Sequence, residues 1–236
     1  MMQPGRRSFL AGSLLLSTLA LARRRTRVFT LYTFGDSVLD CGVYNARGVT
    51  PGGLLVHNRD DLFPDFRGQD LQSRSAATLV HRAQDGATVD NLAAQLSGLP
   101  RGEGAALVSV GGNDLLRGLM TDRGPGFDAF ERKLTTFLEA LPVRPVLLAN
   151  VYDPTVGNDA ANFTALPLKV ARDSHRRMNE RLAKVAARHG TLVDLHAHFL
   201  TGDASWFTST IEPSLRGASE VRRCYWAALP SSLTGK

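Results

Sequence analysis

Cysteine is almost missing from this chain of 236 residues, with only Cys41 and Cys224 present. Two cysteines supply neither a disulfide framework nor a metal-ligand spacing, and both read as free thiols. In an oxidising compartment they have the option of pairing, which spacing alone does not decide. Long apolar runs are missing too. The longest, within residues 11–22, is about a dozen residues, against the roughly 20 that span a bilayer. No tract is repeated or of low complexity. Charge of one sign is not concentrated either. The net charge is +6, and Arg172, Arg176, Arg177, Arg181, Lys184 and Arg188 lie along one helical stretch. A solvated helix face explains them better than a nucleic-acid footprint, which needs a basic stripe interleaved with aromatics. Histidine is sparse, at six residues, and none follows His198.

What is present suits a globular chain: 43% hydrophobic and 21% charged residues, enough for one sizeable core. Arg6-Arg7-Ser8-Phe9-Leu10 precedes the short apolar run, and Ala20-Leu21-Ala22 closes it. That order of basic pair, apolar stretch and small-x-small exit is the layout of an export signal, and its spelling resembles the twin-arginine type. Residues 1–22 are therefore expected to be a signal, leaving a net charge of +4 once its two arginines are removed. Residues 27–236 are expected to form one domain. The expected location is periplasmic or extracellular, with membrane contact only through the signal.

Apolar, β-branched runs predict strands over 28–34, 79–82, 105–110, 145–151 and 191–195. Helical periodicity covers 88–96, 127–141, 168–188 and 215–229. Strands alternating with helices imply βαβ units and a parallel sheet covered on both faces. Two long connections, 47–70 and 153–166, are rich in Gly, Pro or Asp and are expected to line a site at the carboxyl ends of the strands.

Three short motifs fall at such strand ends. Gly35-Asp36-Ser37 follows the first strand, so the Ser37 hydroxyl is either an exposed nucleophile or a helix N-cap. Gly86, in Asp85-Gly86-Ala87-Thr88, offers a backbone N–H with no side chain in the way. Gly111-Gly112-Asn113-Asp114 ends the third predicted strand and offers an amide to a developing oxyanion. Asp36 and Asp114 are expected to brace their loops, and Cys41 to be packing.

Phe34-Gly35-Asp36-Ser37 and Gly111-Gly112-Asn113-Asp114 resemble the first and third blocks of the SGNH/GDSL hydrolases, and Gly86 fits their second. The resemblance extends to Val193-Asp194-Leu195, Trp206-Phe207 and 213–217. It implies a three-layer α/β/α sandwich with a five-stranded parallel sheet of flavodoxin-like order. It also implies hydrolysis of esters or acyl groups without metal or cofactor, with small esters, lipids or acylated carbohydrates as substrates; the chain is expected to be a monomer. By the same match, Ser37 is the nucleophile, and the amides of Ser37 and Gly86 with the Asn113 side chain are the oxyanion donors.

One block departs. The family's Asp-x-x-His-Pro is Ser209-Thr210-Ile211-Glu212-Pro213 here. Glu212 replaces the base and Ser209 the aspartate that would orient it. A carboxylate has an ordinary pKa of about 4.3 against about 6.5 for imidazole, so Glu212 serves as base only where burial raises that value; otherwise it is a capping or salt-bridging residue. His57 in the first long loop is another candidate. Three functions stay open: a serine esterase, a silent binding module on the same fold, and a metal-dependent hydrolase using His196 and His198, for which the lone His-x-His is weak support. His81, His175 and His189 read as ordinary strand or helix-surface residues.

Overall fold

A computed structural model describes residues 28–100 and 102–235. The expected export signal, residues 1–22, lies outside the described residues. The elements run β1 (Phe29–Gly35), α1 (Pro51–Val56), β2 (Ala77–His81), α2 (Leu92–Gln95), β3 (Gly104–Ser109), α3 (Gly112–Leu116), α4 (Pro125–Ala140), β4 (Val146–Ala149), α5 (Leu168–His189), β5 (Thr191–Val193), α6 (Leu195–Phe199), β6 (Phe207–Thr208), β7 (Glu212–Pro213), α7 (Leu215–Ala228) and α8 (Ser231–Thr234). The first five strands form a parallel sheet in the order β2-β1-β3-β4-β5, and β6 and β7 form a separate antiparallel pair.

Successive side chains of a strand point to opposite faces, and this alternation builds two cores. Tyr32, Phe34, Ala106, Val108 and Leu148 face the layer that holds Leu134 and Phe137 of α4 and Met178 and Leu182 of α5. Leu31, Ala105, Leu107 and Leu147 face Leu55 of α1, Phe199 of α6 and Val221 and Tyr225 of α7. Because both faces are covered, the central strands read as continuous apolar runs in the sequence. The result is the expected three-layer α/β/α sandwich.

Local chemistry sets the element ends. Pro125 opens α4, Pro167 precedes α5, and Ser214 caps α7 by accepting from the Gly217 N–H at 3.1 Å. The last strand is shorter than expected. Asp194 accepts from the Ala197 N–H at 3.0 Å and starts α6, so Leu195, His196 and His198 are helical. The connection 47–70 is not structureless, since it contains α1. The basic face of α5 is only partly solvated: Arg181 and Lys184 reach Glu131 on α4 at 2.6 and 2.5 Å.

Candidate active site

In an open parallel sheet, ligands collect outside the carboxyl ends of the strands where the strand order reverses. Here that point lies between β1 and β3. The two strand ends approach so closely that a Cβ on Gly35 would lie 1.7 Å from the Ser109 carbonyl oxygen, and Gly35 has φ +113°. Only glycine fits such a position. The Asp36 N–H then donates to the same carbonyl at 3.0 Å, and the chain turns sharply through Ser37. No long helix follows, only a turn and a 3-10 helix over Cys41–Tyr44, and the Ser37 side chain caps nothing.

A cleft of about 940 Å³, open solvent at its mouth included, lies over this junction. Ser37, Asn113 and Glu212 all line it. Asn113 is the second residue of α3, and its Nδ2 donates to the Ala87 carbonyl at 3.0 Å, which fixes the carboxamide. Asp114 braces the same junction by accepting from the Val89 N–H at 3.2 Å. Gly86 (φ +72°) stands beside the cleft rather than in its lining. The backbone N–H groups of Ser37 and Gly86 donate to no group among the described residues. Ser37 is buried and Gly86 half-buried, so both N–H groups are left for a ligand or solvent.

Glu212 is 8% exposed and Ser37 7%. The hydroxyl lies near enough to lower the carboxyl's pKa by hydrogen bonding, but the contact is loose and the buried Oε2 has no aligned partner. Burial is the larger influence and raises the Glu212 pKa above the ordinary carboxylate value, with Asp85 adding to it. No cation pairs with Glu212 among the described residues, so it is not a salt-bridging residue.

The hairpin β6–β7 that presents Glu212 is strained. Thr208 pairs with Glu212, while Ser209 (φ +47°) and Thr210 (φ +73°) take left-handed conformations that a β-branched residue rarely adopts. Ser209, in the place of the family's aspartate, is part of that turn. The Tyr152 hydroxyl ties the hairpin down by donating to the Ile211 carbonyl at 2.6 Å.

Asp36 also lines the cleft. It accepts from the Ser109 hydroxyl at 3.0 Å and the Val38 N–H at 3.2 Å. Burial pushes its carboxyl up to about 7, against the lowering effect of those hydrogen bonds. Cys41 is packing: burial pushes its thiol up to about 12, which leaves no thiolate near neutrality. Both cysteines are free.

The two long connections differ in their use. Residues 153–164 supply Asp153, Thr155, Asn158, Asp159, Phe163 and Thr164 to the lining, whereas nothing from 47–70 does. His57, exposed at the end of α1, is likewise absent from the lining. Arg172 of α5 pins the lining loop through Asp153 and Asp159.

His175 departs from the expectation of an ordinary helix-surface residue. It lines the cleft, pairs with the Val151 carbonyl at 2.8 Å and meets the His196 ring edge-on at 4.8 Å. Burial, with the neighbouring His196 ring adding to it, holds its pKa below the usual imidazole value. His81 bridges Asp40 at 3.0 Å and Thr33 at 2.7 Å, outside the lining. His198 pairs with Glu220 at 2.9 Å and stacks on Trp206. Among the described residues no group of three or more His, Cys, Asp or Glu side chains is placed to hold a metal. The roles of His175, Tyr152 and Arg172 have no short-range sequence signal, because each depends on contacts between elements.

Comparison with solved structures supports the architecture. LAE5, an alpha/beta hydrolase enzyme from the metagenome of Lake Arreo, Spain, is 24% identical with a TM-score of 0.59, over 89% of this chain and 96% of that one. Axe2, an acetylxylan esterase from Geobacillus stearothermophilus, is 19% identical with a TM-score of 0.61, over the same shares. A catalytic mutant of Axe2 in which a histidine is replaced by alanine is 19% identical with a TM-score of 0.59, over 86% of this chain and 94% of that one. A search of curated proteins found no match. The sequence pattern of the GDSL-like lipase/acylhydrolase family spans residues 33–218, taking in the serine, the asparagine and the glutamate of the cleft. With that pattern covering most of its length, the chain belongs to the GDSL-like lipase/acylhydrolase family.

Proposed function

We propose that this protein is a serine-dependent ester hydrolase in which Glu212 does the work of the family's histidine. The observation that carries this reading is the meeting of Ser37 and Glu212 beside Asn113 in one cleft. Ser37 Oγ attacks the ester carbonyl carbon while Glu212 takes the hydroxyl proton. The negative oxygen is held by the amides of Ser37 and Gly86 and by Asn113 Nδ2. Collapse expels the alcohol, which receives its proton from Glu212. Glu212 then deprotonates a water that attacks the acyl carbon, and hands that proton to Ser37 Oγ as the C–Oγ bond breaks and the acid leaves. The acetylxylan esterase among the structural neighbours, with its catalytic histidine, supports the reaction class but not the base.

Because a carboxylate replaces imidazole, activity extends further into the acid range than in a histidine-based enzyme. It rises with pH as Glu212 loses its proton, at a pH raised by burial. The arginine pair and apolar run of residues 1–22 support export, so the substrate is an envelope or extracellular ester.

Hydrolysis of p-nitrophenyl butyrate by wild type and Ser37→Ala tests the reading; equal rates would dismiss it. The contrary reading, a silent ester- or carbohydrate-binding module, is favoured by the absence of an aligned base. Stoichiometric labelling of Ser37 by a phosphonate probe speaks against silence.

A further inference from the structure

The cleft is asymmetric, and its two flanks belong to opposite faces of the sheet. On one flank Glu212 is carried by a hairpin whose Phe207 packs with Tyr152 and Phe199 against the α7 layer. Ser37 and Asp85 lie near it, and Asp85 accepts from the Tyr44 hydroxyl at 2.7 Å at the surface. On the other flank Leu115, Met120 and Val151 pack with the α4 and α5 layer, and Leu116, Phe163 and Leu168 extend this apolar wall, with Asn158, Asn162 and Thr164 of the loop beside Phe163. Leu116 and Phe163 are 44% and 40% exposed, so hydrocarbon continues to the mouth. The arginine in the lining, Arg172, is already held by Asp153 and Asp159 and offers no free charge to an anion.

The order of proton transfers decides which part of an ester lies on which flank. The base that deprotonates Ser37 must hand the proton to the departing alcohol, so the alcohol lies on the Glu212 side. The acyl group then extends the other way, past Asn113, along Leu115 and Leu116 of the same helix. An acetyl group would leave that wall facing water. We propose that the wall is a subsite for an acyl chain of several methylenes, and that the substrate is a neutral ester of a medium-chain acid. This inference rests on the proposed esterase reading.

Rates for p-nitrophenyl esters from acetate to decanoate test it. The expected kcat/KM rises about two- to fourfold per methylene up to the middle of the series, as burial of hydrocarbon predicts. Leu116→Ser with Phe163→Ser, both at exposed positions, should lower the octanoate-to-acetate ratio by about tenfold. A flat series, a preference for acetate, or an unchanged ratio in the double variant overturns the subsite while leaving the esterase reading intact. Loss of every rate, with no difference from Ser37→Ala, sinks the esterase reading instead. Calorimetry on the Ser37→Ala protein then judges the wall on its own: octanamide should bind at least tenfold more tightly than acetamide, and equal binding overturns the subsite.

Discussion

Asp36 shows how one buried carboxyl ties the site to stability. Its pKa is near 7 in the folded chain, against an ordinary 3.8. The folded state therefore holds a proton that the unfolded state releases between about pH 4 and pH 7, and stability falls as pH rises through that window. Asp36→Asn keeps an acceptor for Ser109 and Val38 but removes the ionisation. Denaturant unfolding should find the variant equal to wild type near pH 3.5 and more stable by on the order of 3 kcal/mol at pH 8. A constant difference across that range would show that Asp36 is not the titrating group. At this scale much was legible in the sequence. Ser37, Asn113 and Glu212 share a cleft, and Asp36 accepts from the Val38 amide as short polar side chains do at turns, whereas Asp114 accepts from Val89 on a distant segment. The half-buried pair His175 and His196 was not legible, because their contact joins α5 to α6 and no local pattern encodes it.

Among the elements, the hairpin β6–β7 departs most from local preference. Left-handed conformations cost non-glycine residues about 1–2 kcal/mol each, and strain of this kind clusters at functional sites. Thr210→Gly relieves it, partly offset by the greater freedom of glycine in the unfolded chain. A net gain of about 1 kcal/mol, or roughly 2–4 °C in Tm by calorimetry, is expected; a fall in Tm would contradict the strain. Pattern reading found the five sheet strands, because buried runs and the glycines after them are local signals. It missed the short helix α6, since five residues are too few to show a period, and it misjudged the 47–70 connection, where α1 hides among Gly and Pro.

On the scale of the whole molecule, Arg222 joins α7 to the 47–70 connection. It is fully buried on α7, donates to Asn58 Oδ1 at 2.8 Å and to Ser219 Oγ at 2.6 Å, and lies 3.3 Å from the Phe66 ring centre. Burial lowers its pKa to about 10, so it stays charged near neutrality. No sequence signal predicts a bond across such a separation. Arg222→Ala would leave Asn58 Oδ1 and Ser219 Oγ without their Arg222 donor and open a void beside Phe66. Thermal unfolding should show a loss of about 2–4 kcal/mol, or roughly 6–12 °C. A change under 1 °C would mean the 47–70 segment is held by other contacts.

The two-residue ladder that carries Glu212 hydrogen-bonds to no strand of the main sheet. The Glu212 carboxylate therefore rides on an accessory hairpin, while Ser37 is set by the β1–β3 junction and Asn113 by the helix that follows β3. A change of side chain at position 212 therefore breaks no rung of the central sheet. On the proposed reading, that separation lets the working acidity change while Ser37 stays fixed.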